Sequence, residues 1–209
     1  MPDSYPPARE NAVRRGEWLT WATLGYNSLE GLLSVTAAML AGSVALLGFG
    51  IDSFIEVAAS LAAITRLHAD RDLARRARVE RRALRFIGLS FLALAGYVAF
   101  DAAHSLWRHA EPAESPLGIG VAVASLIVMP ILAKRKRRVA TQLGSNALTS
   151  EARQTELCVY LSIVLLIGLA LNAILGWWWA DPVAALAMVP LIGWEGIEGI
   201  RGRATCEAC

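Results

Sequence analysis

The chain has 209 residues, of which 56% are hydrophobic, and its mean hydropathy is +0.46. This composition is too apolar for an ordinary soluble domain and is typical of a protein with several membrane-spanning segments. The formal net charge is only +2, so the distribution of the charges matters more than their sum. The sequence has no disulfide framework of a small secreted protein, since its cysteines are Cys158, Cys206 and Cys209.

The polar, proline-rich N-terminus lacks the apolar core of a signal peptide, so we predict a flexible tail over residues 1–16. Six apolar segments follow within residues 17–200, each near the length of about 20 residues that a spanning helix needs. Their predicted bounds are about 17–41, 44–64, 84–107, 117–133, 150–176 and 182–200. Residues 201–209 form a short C-terminal tail. The sequence therefore predicts an all-α integral membrane protein with six transmembrane helices.

Nineteen of the 20 Lys and Arg residues fall on one side of this topology, and only Arg108 falls on the other. Because basic loops remain in the cytoplasm, we predict a multi-pass protein of the inner (cell) membrane with both termini cytoplasmic. The basic runs could instead bind nucleic acid. Topology signals that meet anionic lipid are the better interpretation beside spanning segments, so we expect the lipid bilayer and no nucleic acid as a partner.

Two acidic residues, Asp52 and Glu56, lie in the middle of the second segment. They are four residues apart, so they share one face of a helix, one turn apart. A charge at the bilayer centre costs on the order of 3 kcal/mol on insertion scales, and such residues mark ion or proton paths. A bound cation would offset this cost. By themselves the two acids leave open the alternative that they are protonated or paired with Arg, although no Arg lies mid-span in segments one, two, five or six.

A second candidate half-site lies in segment five. Glu151, Gln154 and Cys158 fall within about 60° of one another around a helix axis. Segments two and five run in opposite directions, and Cys158 lies several residues in from the cytoplasmic end. The two half-sites can therefore meet at a similar depth if the helices are neighbours.

These side chains suit a metal ion. Zinc accepts Cys sulfur and carboxylate oxygen in tetrahedral geometry, and a thiolate favours softer ions over magnesium or calcium. A buried carboxyl group without its metal tends to take up a proton, and metal binding expels protons. We therefore expect a site that exchanges a divalent cation for protons. Its candidate ligands are Asp52, Glu56 and Cys158, with Gln154 as a fourth and Glu151 as a substitute or supporting group.

The second segment carries a family resemblance. Gly42-Ser-Val-Ala-Leu46, followed by Gly50-Ile-Asp52-Ser-Phe-Ile-Glu56, resembles the second membrane helix of cation diffusion facilitators, which has D-x-x-x-D or a close variant there. Segment five is similar to the family's fifth helix, which carries H-x-x-x-D or D-x-x-x-D.

Alignment on Gly168 and Ala180-Asp181 suggests that Gln154 and Cys158 stand at the ligand positions of that fifth helix. The resemblance implies a six-helix homodimer that exports zinc or a related divalent ion against protons. The transported ion is then a substrate, and no cofactor is expected.

The sequence departs from the family pattern in three respects. Glu56 replaces an aspartate, and Gln154 and Cys158 replace the usual ligands, so zinc, cadmium, cobalt, manganese and iron(II) all stay candidate substrates. The family's cytoplasmic metal-binding domain, which normally follows the sixth helix, has no counterpart in these 209 residues. We therefore expect the short, membrane-only branch of the family.

Other interpretations stay open. The protein could be a non-transporting membrane subunit that binds metal or serves as a scaffold. An enzyme is not expected, because no spacing pairs a nucleophile with a base. The C-x-x-C of Cys206 and Cys209 could bind metal only with further ligands, for example across a dimer.

Two further polar pairs have alternative roles. Asn27 and Glu30 share a face of segment one, and they either line the ion path and support the site or make a polar contact between helices. Glu195 and Glu198 near the end of segment six either attract incoming cations or are solvated at the helix end.

Overall fold

The protein is all-helical in a computed structural model that describes residues 7–68, 73–143 and 146–201. Within these ranges it forms α1 (Pro7–Ala41), α2 (Val44–His68), α3 (Leu73–Arg108), α4 (Pro116–Leu143), α5 (Asn146–Leu175) and α6 (Ala180–Arg201). This confirms the predicted all-α class and the order of the six segments. Cys206 and Cys209 lie outside the described residues.

Five helices, α2 to α6, are long and apolar enough to cross a membrane. The remaining helix, α1, is less apolar because one of its faces is polar. The side chains of this face are buried against the other helices; they are Thr20, Thr23, Asn27, Glu30 and Ser34. The opposite face exposes large apolar side chains such as Leu32 and Leu40. α1 thus turns its polar face into the bundle, which is the arrangement that a membrane-embedded helix requires.

Several helices continue beyond the apolar stretches that predicted them. Residues 7–16, predicted as a flexible tail, are the first turns of α1, and α4 ends at Leu143 instead of near residue 133. The basic run at 134–138, predicted as a loop, is therefore helical. The reason is that Arg, Lys, Gln, Glu and Ala are all good helix formers, so a helix passes from the apolar into the polar region without interruption. Hydropathy therefore predicts the membrane-spanning part of a helix but does not predict where the helix ends.

The contacts between helices bring the two predicted half-sites together. α2 packs against α1, α3, α5 and α6, and α5 packs against α4 and α6 as well. α2 and α5 are therefore direct neighbours near the centre of the bundle.

Small residues allow this close packing. A Cβ atom added to Gly168 of α5 would lie 2.5 Å from the Cβ of Ala184 of α6. On α3, a Cβ atom at Gly88 would lie 2.7 Å from the carbonyl oxygen of Gly196 on α6. Small residues of this kind let helices approach closely in lipid.

The turn between α1 and α2 is fixed by α6. Gly42 ends α1 with a positive φ of 67°, a conformation that suits glycine. Ser43 then caps α2, since its hydroxyl oxygen accepts a hydrogen bond from Leu46 N at 3.1 Å. Asp181 of α6 accepts hydrogen bonds from Ser43 Oγ at 2.5 Å and from Val44 N at 2.9 Å. The start of α2, and with it the position of the half-site on α2, is thus attached to α6.

Candidate metal site

Three potential metal ligands meet inside the bundle. One carboxylate oxygen each from Asp52 and Glu56, together with the Sγ atom of Cys158, lie within 4.8 Å of one another. The three residues are buried, with exposed fractions of 3%, 4% and 0%. Cys158 is a free cysteine. The structure therefore brings both half-sites together at these three side chains.

The positions of these ligands follow from the sequence of α2 and from its contact with α5. Asp52 and Glu56 share the face of α2 that packs inward, as the four-residue spacing predicts. Glu56 is held by α1, because Asn27 Nδ2 donates a hydrogen bond to Glu56 Oε2 at 2.5 Å. A carboxylate fixed in this way keeps its second oxygen free to bind an ion.

A small cavity borders Asp52 and Glu56 of the cluster. Its volume of about 10 Å³ is close to the minimum that holds one water molecule. Polar side chains from α2, α5 and α6 line it, namely Asp52, Glu56, Gln154 and Glu195. The remaining wall is apolar and comes from α3, α5 and α6. Gln154 and Glu195 lie toward the membrane side that carries the basic residues.

Gln154 and Glu151, the other two predicted ligands, lie in different surroundings. Gln154 is half-buried and lines the cavity beside Asp52 and Glu56. Glu151 is buried but is not part of the three-ligand cluster. Its carboxylate accepts hydrogen bonds from Thr20 at 3.0 Å, Ser60 at 3.1 Å and Lys136 at 2.8 Å.

Lys136 is a buried charged side chain beside the candidate site that the sequence interpretation missed. It lies in the middle of the basic run and is fully buried, whereas the four basic residues around it are exposed. The sequence contained a signal for the burial of Lys136. Met129, Leu132, Lys136 and Val139 follow a helical spacing, and the apolar stripe of α4 continues through the position of the lysine. The charge of Lys136 is balanced by Glu151, so the buried pair is neutral as a unit.

A third buried carboxyl group lies beside the cluster. Glu30 of α1 accepts a hydrogen bond from Ser53 Oγ at 3.0 Å, and the Cys158 Sγ contacts the same oxygen at 3.9 Å. Asn27 and Glu30 thus do more than connect α1 to α2, since both touch residues of the cluster. The sequence already indicated this pair, because Asn27 and Glu30 share one face of the first helix.

The arrangement has the chemistry of a site for a divalent cation. Carboxylates and a cysteine sulfur are ligands that zinc and related ions accept. Carboxyl groups that face one another in an apolar bundle are stabilised when a cation lies between them.

The chain resembles a known protein family over most of its length. A family model described as the cation efflux transmembrane domain matches residues 21–201 of the chain. The matched region reaches from α1 to the last residue of α6 and includes every residue of the cluster. The match confirms the family resemblance drawn from segments two and five. No curated protein gives a significant match to the chain.

Proposed function

The chain belongs to the cation efflux (cation diffusion facilitator) family of membrane transporters, and we propose that it exports a divalent metal cation, zinc foremost, in exchange for protons. The observation that carries this proposal is the buried cluster of Asp52, Glu56 and Cys158, whose ligand atoms lie within 4.8 Å of one another. The cluster lies on α2 and α5, two neighbouring helices that contain membrane-spanning stretches.

The ligand types support zinc or a similarly soft ion as the substrate. A thiolate binds zinc, cadmium or cobalt far better than it binds magnesium or calcium. The two carboxylates supply the negative charge that a divalent ion needs in a region without bulk water. Of the two remaining candidates, Gln154 is the better placed fourth ligand, because its side chain lines the cavity next to the cluster. Glu151 supports the site indirectly, since Lys136 and two hydroxyl groups already hold its oxygens.

Proton exchange follows from the same ligands. A thiol must lose its proton before it can bind a metal, and the carboxyl groups must be ionised. When the ion leaves, isolated negative charges in the bundle would be costly, so protons replace it. A site of this type binds either the cation or protons, and that competition couples the two fluxes.

Two polar residues of the cavity wall, Gln154 and Glu195, lie toward the membrane side that carries the basic residues, which we assign to the cytoplasm, and this favours access to the cluster from that side. Alternating access would move helices around the cluster so that it opens to each side in turn. By the family resemblance, we propose that the transporter works as a homodimer in the cell membrane.

Transport in proteoliposomes tests the proposal. Vesicles that contain the purified chain and a zinc-sensitive dye should take up zinc when a pH gradient is imposed, and Asp52→Ala should abolish this flux. Asp101→Ala is a matched control, because it removes a half-exposed carboxylate from α3, outside the cluster.

A flux that persists in Asp52→Ala would contradict the assigned site. The alternative of a non-transporting metal-binding or scaffold subunit predicts a different result. Such a protein would bind zinc in detergent and show no flux under any pH gradient.

A further inference from the structure

Glu30 of α1 has an oxygen atom that no hydrogen bond satisfies. Its side chain is 97% buried, and Oε2 is held by Ser53 and Cys158. Oε1, in contrast, receives no hydrogen bond from any residue in the described parts of the chain. The hydroxyl groups of Tyr26 and Ser125 also interact with this carboxyl group, but neither has the geometry of a hydrogen bond to Oε1. A buried carboxylate oxygen without a partner is costly, so it calls for a specific explanation.

Asn27, one turn before Glu30, has the same property. Its Nδ2 atom donates to Glu56, but within the described ranges nothing donates to its Oδ1 atom. Two neighbouring side chains of α1 thus carry buried oxygen acceptors without donors, and both side chains touch residues of the three-ligand cluster. A cation bound in the cluster would give the unpartnered oxygen of Glu30 an electropositive partner.

We infer that α1 supplies a ligand of the transported cation, and that Glu30 coordinates the ion together with Asp52, Glu56 and Cys158. This inference rests on the proposed function and deepens it, because the cation site is then shared by three helices. Asn27 is a positioning residue, which orients Glu56 through its amide group.

The contact between Glu30 and Cys158 places a fourth potential ligand beside the cluster. At zinc–ligand distances of about 2.0–2.3 Å, the ligand atoms of a tetrahedral site lie about 3.3–3.8 Å apart. Glu30 Oε2 is 3.9 Å from the Cys158 sulfur, which in turn lies within 4.8 Å of the ligand oxygens of Asp52 and Glu56. Glu30 is not among the three residues whose ligand atoms lie within 4.8 Å of one another, so its carboxylate must move toward Asp52 and Glu56 to share one ion with them.

Charge supports the same assignment. Among Glu151, Gln154 and Cys158 of α5, only the cysteine is an ionisable member of the cluster, because Gln154 is neutral and Glu151 is paired with Lys136. A carboxylate from α1 supplies the negative charge that this half-site lacks. Gln154 then serves at the cavity side of the ion, and Glu30 closes the site on the α1 side.

Zinc affinity of the purified full chain in detergent, measured by competition with a chromophoric chelator, tests this inference. Glu30→Gln should weaken binding at least about tenfold, since the loss of even a supporting partner of a ligand costs about 10–100-fold. Glu30→Asp keeps the carboxylate and should bind with an intermediate affinity. Glu17→Gln, which removes a half-buried carboxylate from the same helix, should bind as the wild type does.

The bound Co²⁺ ion reports ligation directly. If Glu30 is a ligand, the visible ligand-field bands of Co²⁺ shift in Glu30→Gln and stay unchanged in Glu17→Gln. Wild-type zinc affinity and an unchanged cobalt spectrum in both Glu30 variants would overturn the inference. Asp52→Ala separates this failure from a failure of the site itself. If zinc affinity falls in Asp52→Ala but not in the Glu30 variants, only the role of Glu30 is rejected, and if it falls in neither, the site itself is rejected.

Discussion

The ammonium group of Lys136 lies 2.8 Å from Glu151 Oε1 in a contact that is buried on both sides. Thr20 of α1 and Ser60 of α2 donate hydrogen bonds to the same carboxylate. This single polar centre therefore joins α1, α2, α4 and α5 on the membrane side that carries the basic residues. It lies one turn of α5 before Gln154 and the cavity, and it holds those four helices together there.

Replacement of Lys136 should lower the stability of the helix bundle. Lys136→Met leaves Glu151 buried without its counter-charge, and breaking a buried pair in this way costs about 3–5 kcal/mol. Lys136→Met with Glu151→Leu should recover most of this loss, since it removes both charges. Unfolding in detergent, followed by circular dichroism, measures the effect.

Arg137→Met provides the matched control for this prediction. The adjacent Arg137 pairs with Glu156 at 2.8 Å, but the side chains are 68% and 37% exposed. An exposed pair contributes only about 0–1 kcal/mol, so this variant should be nearly as stable as the wild type. Equal stability losses in Lys136→Met and Arg137→Met would contradict the role of the buried pair.

The two uncertain ligands of α5 should differ in their effect on zinc affinity. Gln154→Ala removes a group that lines the cavity and should weaken zinc binding about 10–100-fold. Glu151→Gln leaves the cluster intact and should change the affinity of the folded protein by less than a few-fold, while it lowers stability. Isothermal titration calorimetry on the folded fraction measures both. The reverse order of effects would make Glu151 the ligand.

Cys158 should determine which metal ions the site prefers. Cys158→Ser replaces a soft sulfur by a hard oxygen, so the affinity for zinc and cadmium should fall more than the affinity for manganese. Metal analysis of the purified variant, after exposure to an equimolar mixture of these ions, measures the preference. An unchanged cadmium content in Cys158→Ser would show that the sulfur does not bind the ion.

The contact between α3 and α6 should tolerate no side chain at Gly88. A Cβ atom there would lie 2.7 Å from the carbonyl oxygen of Gly196 and 2.8 Å from Ile200 N, both of which are backbone atoms that cannot turn aside. Gly88→Ala should therefore lower the unfolding temperature, because overpacking costs about 1–3 kcal/mol.

Gly96 of α3 offers the control for this substitution. A Cβ atom at Gly96 would meet no atom within 4 Å, so Gly96→Ala should be neutral or slightly stabilising in the same thermal unfolding assay. If Gly88→Ala were as stable as Gly96→Ala, the close approach of α3 to α6 would not be needed for the fold.

Patterns along the chain predicted the elements of this protein because a membrane imposes strong local rules. Apolar runs of about 20 residues located the spans, and the spacing of Asp52 and Glu56 placed both acids on one helix face. Helix ends were predicted poorly, as at α4, because nothing in hydropathy marks where a helix of charged residues stops.

The sequence by itself determined the all-α class and the family, and it placed Asp52 and Glu56 on one face of a helix, since helix class and helix face depend on residues close together along the chain. Only the tertiary structure separated Glu151 from Gln154, which lie three residues apart on one helix. Their difference comes from other helices: Lys136 of α4 faces one, and the cavity faces the other. The contact between Glu30 of α1 and Cys158 of α5 also depends on tertiary packing, here of α1 against α2. Two residues 128 positions apart form no periodic pattern in the sequence that would predict their contact.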